Sequence, residues 1–268
     1  MRILACYLKR ILTGVLCLSF TSASIAAPIP LELYTQEFPP LQIELNGKPE
    51  GYVVKFVEAV VADAAKTLPM EISGVHFVPW KRAIRTTQRN SNVLFFSLSR
   101  TQSREAQYTW IGQVSPYEVA VYRHISGPSV AIKNLSQLKG FSVAAQPASA
   151  FEALIKDIGV ENIIPVHYGR EAIKLLHAKR VDFAPLTQSS FHYRVEQYGY
   201  KPSEFVEVLK VDELSQELWL VTGNKTSPAV VKALMQSFER LKAEGLLEQL
   251  MNEYHPKSEV MTRYRNKV

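Results

Sequence analysis

The sequence predicts an α/β fold in which strands and helices alternate and the strands form mostly parallel sheets. Short apolar runs such as Val181–Leu186 have the length and composition of buried strands. Between such runs, apolar residues recur at helical spacing, for example Val54, Val57, Val61 and Ala64. With 47% apolar residues, the chain can bury a substantial core, either as one large domain or as two lobes.

The first half of the chain carries six predicted elements. They are a strand at Leu31–Thr35, a hairpin-like excursion from Gln42 to Gly51, a helix over 51–66, a strand at Val75–Val78, a helix at Trp80–Arg89 and a strand at Asn92–Phe96. The Asn46-Gly47 pair inside the excursion is typical of a hairpin turn.

The second half continues the alternation. Its predicted elements are extended chain at Glu118–Arg123, a strand at Phe141–Ala145, a helix from Ser149 to near Gly159, a strand at Ile163–Val166, a helix at Arg170–Lys179, a strand at Val181–Leu186, a strand at Leu218–Thr222 and a helix at Pro228–Tyr254. Ser149 and Glu152 fit a capping box. We expect Gly245 to weaken or bend the last helix, at a cost of about 1 kcal/mol relative to Ala. The tail from Lys257 to Val268 is predicted to be a frayed, solvated end.

Residues 1–26 have the layout of a secretory signal peptide. Arg2, Lys9 and Arg10 form a positive start, and the apolar run Ile11–Phe20 that follows is too short to span a bilayer. The small residues that end at Ala26 predict cleavage after that position. The mature chain is therefore predicted to be exported, without a membrane or lipid anchor.

The composition of the mature chain excludes several kinds of site. Both cysteines, Cys6 and Cys17, lie in the predicted signal peptide, which leaves no disulfide, zinc–thiolate site or cysteine nucleophile. The signal contributes three of the six net positive charges, and the remaining charge is spread along the chain. No basic stripe is visible, so we do not expect binding to nucleic acid.

One stretch, from Phe95 to Tyr117, combines groups that suit an anion. A buried apolar run is followed by the hydroxyls of Ser99 and Thr101 and by Arg104. A guanidinium held beside hydroxyls and free backbone N–H groups can grip a carboxylate at two points. The alternative is that Arg104 is a solvated residue at a helix end and that the hydroxyls are caps.

Eight short motifs, in order along the mature chain, resemble the bacterial extracellular solute-binding proteins of family 3, the polar-amino-acid type. The motifs are Phe38-Pro39-Pro40-Leu41, Asn46-Gly47-Lys48 with Gly51, Pro79-Trp80-Lys81-Arg82, Ser97-Leu98-Ser99 with Arg104-Glu105, Ser115-Pro116-Tyr117, Leu138-Lys139-Gly140 with Ser149, Lys179-Arg180-Val181-Asp182, and Leu241-Lys242-Ala243-Glu244-Gly245.

The resemblance implies a type II periplasmic-binding-protein fold, with two α/β lobes joined by two crossover strands. The first lobe would comprise residues 27–117 and 216–268, and the second lobe residues 118–215. Ligand would bind in the cleft between the lobes, which close on it by a hinge motion. The location implied is the periplasm.

The resemblance also implies the roles of several residues. Arg104 would hold a ligand carboxylate, assisted by Ser99 and Thr101, and Ser149 would reach the same carboxylate from the second lobe. Phe38 and Trp80 would sandwich the ligand. The alternatives are that Ser149 serves only as an N-cap and that Phe38 and Trp80 pack in the core.

One position departs from the family pattern. Amino-acid binders of this family place an aspartate, which receives the ligand's ammonium, where this chain has Thr187. Either another acid substitutes, with Glu37 the candidate, or the ligand is not a standard α-amino acid. Arg82 and Arg100 add positive charge that would suit a second anionic group; the alternative is that both are solvated.

The function that the resemblance implies is capture of a small carboxylate-bearing ligand, an amino acid or a related organic acid. Delivery to an ABC-type membrane permease and a monomeric state are expected, with no cofactor and no metal. One alternative is a periplasmic enzyme of the same fold, similar to cyclohexadienyl dehydratase, with Glu37, Glu105 or a histidine as acid or base. The other is a ligand-sensing partner of a membrane receptor.

Overall fold

The computed structural model describes residues 27–255 and 258–265, and the predicted signal peptide lies outside them. The strands are β1 (Ile29–Thr35), β2 (Ile43–Leu45), β3 (Lys48–Glu50), β4 (Met70–Phe77), β5 (Val93–Ser99), β6 (Tyr108–Tyr117), β7 (Val119–His124), β8 (Val143–Ala145), β9 (Ile163–Pro165), β10 (Ala184–Thr187), β11 (Phe205–Lys210) and β12 (Gln216–Gly223). The α-helices are α1 (Tyr52–Ala64), α2 (Trp80–Arg89), α3 (Ala150–Asp157), α4 (Glu171–His177), α5 (Gln188–Gln197), α6 (Pro228–Ala243), α7 (Leu246–Glu253) and α8 (Glu259–Arg265).

The first lobe is built on a five-stranded sheet with the order β4-β1-β5-β12-β6. Strand β1 runs parallel to β4 and β5, whereas β12 runs antiparallel to β5 and β6. Helices α1 and α6 cover this sheet, and the rings of Phe56 and Phe238 meet edge to face with centroids 5.2 Å apart. Both rings are fully buried, so this contact lies in the centre of the first core.

The second lobe is built on a three-stranded antiparallel sheet, β10-β7-β11, with the parallel pair β8-β9 beside it. The chain enters this lobe where β6 ends at Tyr117 and β7 begins at Val119. It returns to the first lobe between β11 and β12. The expectation of two crossovers is confirmed, but the sheets are mixed rather than mostly parallel. The reason is that the four strands next to the crossovers pair antiparallel within their own lobes.

The predicted C-terminal helix is divided at Gly245. This residue adopts a left-handed backbone conformation, with φ of 82°, between the end of α6 and the start of α7. Glycine occupies that conformation without the steric cost that a Cβ brings. The effect of Gly245 is therefore a break, not the bend or weakening that the sequence predicted.

The prediction of a frayed tail is wrong for residues 258–265. They form α8, and the side chains of Met261 and Tyr264 are 0% and 1% exposed against the first core. Met261 and Tyr264 are three residues apart, which places them on one face of the helix. The basic residues of the tail indicated a solvated segment, but the apolar residues between them pack in the core.

Besides α8, three strands and helices were not predicted: β6, β11 and α5. Helix α5 matters most because it links the lobes. Its Tyr193 belongs to the first core, and its Gln197 Nε2 donates to the Tyr264 hydroxyl of α8 at 3.1 Å. None of the helices in the described part of the chain combines the length and the apolar character needed to cross a bilayer.

Candidate ligand-binding cleft

A cavity between the lobes has about 810 Å³ of space that no atom fills, including its opening to solvent. Both lobes supply its walls. The lining side chains used below are Phe38, Trp80, Ser97, Ser99 and Tyr117 of the first lobe, and Gln146, Ser149, Thr187 and Arg194 of the second, together with Gln36. A concave site with apolar walls and a few converging polar groups is the usual form of a small-molecule site.

Arg104 does not itself line this cavity; it contacts Ser99, which does, and it borders an adjoining surface groove. It belongs to a short 3₁₀ helix, Gln102–Gln107, and its side chain is 7% exposed. Nη1 donates to the carbonyl oxygen and the hydroxyl of Ser99 at 3.0 and 2.8 Å, and Nη2 donates to the Ala148 carbonyl of the second lobe at 2.9 Å. Burial lowers the pKa of Arg104. All three acceptors are neutral, so no partner neutralises its charge.

The Ala148 carbonyl is the point where the two lobes meet beside Arg104. It also accepts a hydrogen bond from Trp80 Nε1 at 3.3 Å. Ala148 has a φ of 65°, a left-handed conformation that is unfavourable for a residue with a Cβ. This backbone twist occurs directly before α3, where it presents the carbonyl to Arg104 and Trp80.

Ser149 is the N-cap of α3 and also lines the cavity. Its hydroxyl accepts from the Glu152 N–H at 3.0 Å, and the Glu152 carboxylate accepts from the Ala148 N–H at 2.7 Å. The predicted capping box is present with one difference: the Glu152 carboxylate accepts from the N–H of Ala148, and not from the N–H of the N-cap Ser149. The capping role is therefore real, and the side chain still faces the cavity.

Phe38 and Trp80 are half-buried and both contribute to the cavity wall. Each also packs on an aromatic ring behind it: Phe38 on Tyr117 with centroids 6.3 Å apart, and Trp80 on Phe95 with centroids 5.0 Å apart. The core-packing alternative and the wall position thus hold together, because each ring packs on an aromatic neighbour and also lines the cavity.

Thr187 ends β10, is 9% exposed and lines the cavity, as the motif placed it. Glu37 does not line it. The Glu37 carboxylate is paired with Arg170 and accepts from the Tyr264 hydroxyl at 2.9 Å. The reason is that α8, which the sequence did not predict, brings a hydroxyl to this acid and draws it away from the cleft.

Three other predicted residues lie outside the cavity wall. The Thr101 hydroxyl is 3.1 Å from that of Ser103, in an adjoining surface groove. Arg82 is exposed on α2. Arg100 pairs with Glu105 and lies over Trp219, with its Cζ 4.7 Å from the ring centroid. For Arg82 and Arg100 the structure agrees with the alternative of solvated, surface charges.

Arg194 is a cavity-lining residue that sequence reasoning missed. It lies on α5 and is 8% exposed, and burial lowers its pKa to about 10. Little in the sequence indicates that Arg194 reaches the cavity. It follows Thr187 by seven residues, a spacing that places two residues on one face of a helix, but no helix was predicted there. The polar sequence QSSFHYRVEQ does not show a helical apolar stripe.

Among the described residues, one group could hold a metal ion, and none of its members lines the cleft. One ligand atom each from His124, His177 and Glu204 lies within 4.8 Å of the others. The three are far apart in sequence, which is why motif spacing did not indicate them. Burial lowers the pKa of His124, and the charges of His177 and Lys179 add to that effect.

Comparisons with known proteins agree with this architecture. The family model of the bacterial extracellular solute-binding proteins, family 3, matches residues 33–257. A comparison with curated protein sequences gives no match.

Solved structures similar to this chain include a histidine kinase sensor domain with similarity to periplasmic binding proteins, at 16% identity and a TM-score of 0.71, covering 85% of this chain and 96% of that one. An ancestral arginine-binding protein bound to arginine is 20% identical with a TM-score of 0.69, covering 84% and 98%. The GluR0 ligand-binding core from Nostoc punctiforme in complex with L-glutamate is 16% identical with a TM-score of 0.66, covering 84% and 99%.

At these identities the solved structures establish the fold, the type II periplasmic-binding-protein fold that the motifs implied. The family match spans most of the sequence and both lobes. The chain therefore belongs to the bacterial extracellular solute-binding proteins, family 3.

Proposed function

We propose that this chain is a periplasmic solute-binding protein that captures a small carboxylate-bearing ligand between its two lobes. The lobes would be residues 27–117 with 216–268, and residues 118–215. The observation that carries the proposal is Arg104, a buried guanidinium at the cleft that hydrogen-bonds only to neutral oxygens.

The hydrogen bonds of Arg104 suggest how a carboxylate would be held. An arginine has five N–H donors, and three of those of Arg104 go to Ser99 and Ala148. A ligand carboxylate in the place of the Ala148 carbonyl would take Nη2 and a free N–H together, in the two-point geometry that arginine offers carboxylates. Both solved relatives with a named ligand, arginine and L-glutamate, bind molecules that carry a carboxylate.

The remaining cleft residues would complete the grip. Ser149 lies at the N-terminus of α3, where the helix dipole favours an anion and supports the charge of Arg104. Phe38 and Trp80 would cover the ligand's apolar body from the first lobe. Because Ser149 and Ala148 come from the second lobe, closure of the lobes would assemble this end of the site.

We further propose that the ligand is delivered to an ABC-type membrane permease and that the protein acts as a monomer. The predicted signal peptide supports the periplasmic location. A second candidate is a sensing role, in which the liganded protein signals to a membrane receptor. It is favoured by one observation, the similarity to a histidine kinase sensor domain.

Thermal unfolding of the mature chain, starting at Ala27, tests the proposal. The protein is refolded to remove bound ligand and screened against amino acids, keto acids and dicarboxylates. A ligand at about 100 times its Kd adds about 2.7 kcal/mol, a shift of roughly 5–10 °C for a chain of this size. A match in the panel supports the proposal, and the absence of any shift contradicts it.

Two arginine variants make the test specific. Arg104→Met should lose the shift entirely, because the carboxylate would lose its charge partner. Arg82→Met is the matched control, since Arg82 is an exposed arginine of the same lobe, and it should keep the shift. Uptake of the labelled ligand in cells lacking the protein then separates the two roles. Uptake is lost if the protein delivers cargo, and kept if it only senses.

A further inference from the structure

Arg194 lies on α5 of the second lobe and lines the same cavity as Ser99 of the Arg104 motif. Its Nη2 donates to the Glu37 carbonyl at 3.0 Å, and its Cζ lies 5.0 Å from the ring centroid of Phe38. Nε has no hydrogen-bond partner among the described residues. Gly169 is close to Nη1: a Cβ added at this glycine would stand 3.6 Å from that nitrogen.

The charge of Arg194 has no counterion, unlike that of four other arginines. Arg100, Arg170, Arg240 and Arg263 each pair with an acid, respectively Glu105, Glu37, Asp63 and Glu259. In the described part of the chain no acid lies within ion-pair distance of Arg194. A buried cation without an anion is costly in free energy, and a cleft that holds one favours an anion supplied from outside.

The nearest acid is already engaged elsewhere. Glu37 directs its carboxylate to Arg170 and to the Tyr264 hydroxyl, and offers Arg194 only its backbone carbonyl. Of the described residues that line the cavity, Arg194 carries the one formal charge; the polar others, such as Gln146 and Thr187, are neutral.

Both arginines lie near one group, the hydroxyl of Tyr117. Burial raises the pKa of this hydroxyl, and the positive charges of Arg104 and Arg194 both oppose that rise. Tyr117 lines the cavity, and so do Arg194 and Ser99, whose hydroxyl accepts from Arg104. One small molecule in this cavity can therefore contact Arg194 and also reach the Ser99 side of the Arg104 motif.

We propose that Arg194 forms a second anion subsite and that the ligand is a dicarboxylate without an amine, held by Arg104 at one end and by Arg194 at the other. This inference rests on the proposed function, since it specifies the ligand of the same cleft. A second positive charge selects for a dianion and against an ammonium group, because repulsion of a like charge excludes the wrong ligand. The Phe38 ring packs on the guanidinium of Arg194, and both residues line the cavity.

Paired ligands of equal length test the inference. Titration calorimetry of the mature protein compares succinate with butyrate, glutarate with pentanoate, and L-glutamate with glutarate, at pH 7 and fixed ionic strength. The proteins are the wild type, Arg194→Met, Arg194→Lys, Arg104→Met, and Arg180→Met as an exposed second-lobe arginine control.

We expect the wild type and Arg180→Met to bind one of the dicarboxylates at least about a hundredfold more tightly than its monocarboxylate partner, the size of a buried charge pair. Arg194→Met should remove this ratio and leave the weak monocarboxylate affinity unchanged, whereas Arg194→Lys should keep part of it. If Arg194 had only a structural role, Arg194→Met would lower the affinity for monocarboxylates and dicarboxylates equally, and that result overturns the inference.

The outcomes separate the two proposals. Suppose that L-glutamate or another α-amino acid binds tightly, that succinate and glutarate do not bind, and that Arg104→Met abolishes the amino-acid binding. This result overturns the inference of an amine-free dicarboxylate and leaves the proposed function standing. Dicarboxylate binding that survives Arg194→Met also overturns only the inference. Binding of none of these carboxylates by the wild type overturns both.

Discussion

The two arginines of the cleft have equal burial but different surroundings. Arg104 uses three N–H groups on the oxygens of Ser99 and Ala148, and the second lobe supplies one of these acceptors. Arg194 uses one, on the Glu37 carbonyl of the first lobe. Each arginine therefore reaches across to the other lobe, but only Arg104 is well satisfied by the protein itself.

This difference indicates which end of the cleft carries specificity. A guanidinium that the protein already solvates with neutral oxygens can exchange one of them for a ligand oxygen at small cost. A guanidinium with an unpaired Nε in a buried position gains more from a ligand anion, because the desolvation of its charge is not yet offset. In the proposed function, Arg104 would therefore capture carboxylates in general, and Arg194 would select among them.

The largest expected effect comes from placing an acid beside Arg194. Thr187→Asp would put a carboxylate at the cavity wall, on the same face of α5 and two turns before Arg194. The new acid would repel a dianion and compete for the guanidinium, so we expect dicarboxylate affinity to fall about a hundredfold or more. Calorimetry with glutarate measures the effect.

Thr187→Asn is the control for that variant, since it matches the shape without the charge. It should change affinity by less than about tenfold, the range for one neutral hydrogen bond. Equal losses in Thr187→Asp and Thr187→Asn would show that shape, and not charge, governs this end of the cleft.

The next effect concerns the support of Arg194 by α8. Tyr264→Ala removes a ring that is 1% exposed and should lower the free energy of unfolding by about 3–5 kcal/mol. Tyr264→Phe keeps the ring and removes only the two hydrogen bonds of its hydroxyl, the one to Glu37 and the one from Gln197, at about 1 kcal/mol each. Urea unfolding distinguishes the two, and a similar loss in both variants would contradict a packing role for the ring.

A smaller effect is expected at the Arg104 end. Trp80→Phe keeps an aromatic wall and removes the hydrogen bond from Nε1 to the Ala148 carbonyl. We expect the affinity for mono- and dicarboxylates to fall together by about two- to tenfold, the range of 0.5–1.5 kcal/mol for one hydrogen bond. A loss confined to dicarboxylates would place Trp80 at the Arg194 end and would contradict the division of the cleft.

Two local features of the Arg104 end could be predicted from the sequence. Ser99 and Arg104 are five residues apart and contact each other, and the capping box at Ser149 marks a helix N-terminus. The hydrogen bonds that Arg104 and Trp80 donate to the Ala148 carbonyl are long-range, and the sequence did not predict them. The order of the motifs therefore predicted the fold, whereas the roles of Arg104 and Ser149 toward a ligand stay predictions.

The Arg194 end could not be predicted because each of its parts depends on a missed element. Helix α5 has no apolar stripe, since it buries Ser190 and Arg194 beside Phe191 and Tyr193. Helix α8 lies in a tail that was predicted to be solvated, and its Tyr264, together with Arg170, binds the Glu37 carboxylate outside the cavity wall. Without α5 and α8, the sequence alone left Glu37 free to serve as the acid of the site.

The smallest expected effect lies outside the cleft, at the edge of the first sheet. Hydrogen bonds from His76 and Ser73 lower the pKa of the Glu32 carboxyl. A lowered carboxyl pKa in the folded state contributes stability above the unfolded value of 4.5 and loses it as pH falls through the lower folded value. The side chain is 40% exposed, so solvent screening keeps the contribution below about 1 kcal/mol. The free energies of unfolding of Glu32→Gln and wild type, measured between pH 6 and pH 3, should therefore converge as the pH falls.

The control for this variant is ligand affinity at pH 7, which should be equal in the two proteins because Glu32 touches neither arginine. Unequal affinity would mean that the sheet edge is coupled to the cleft.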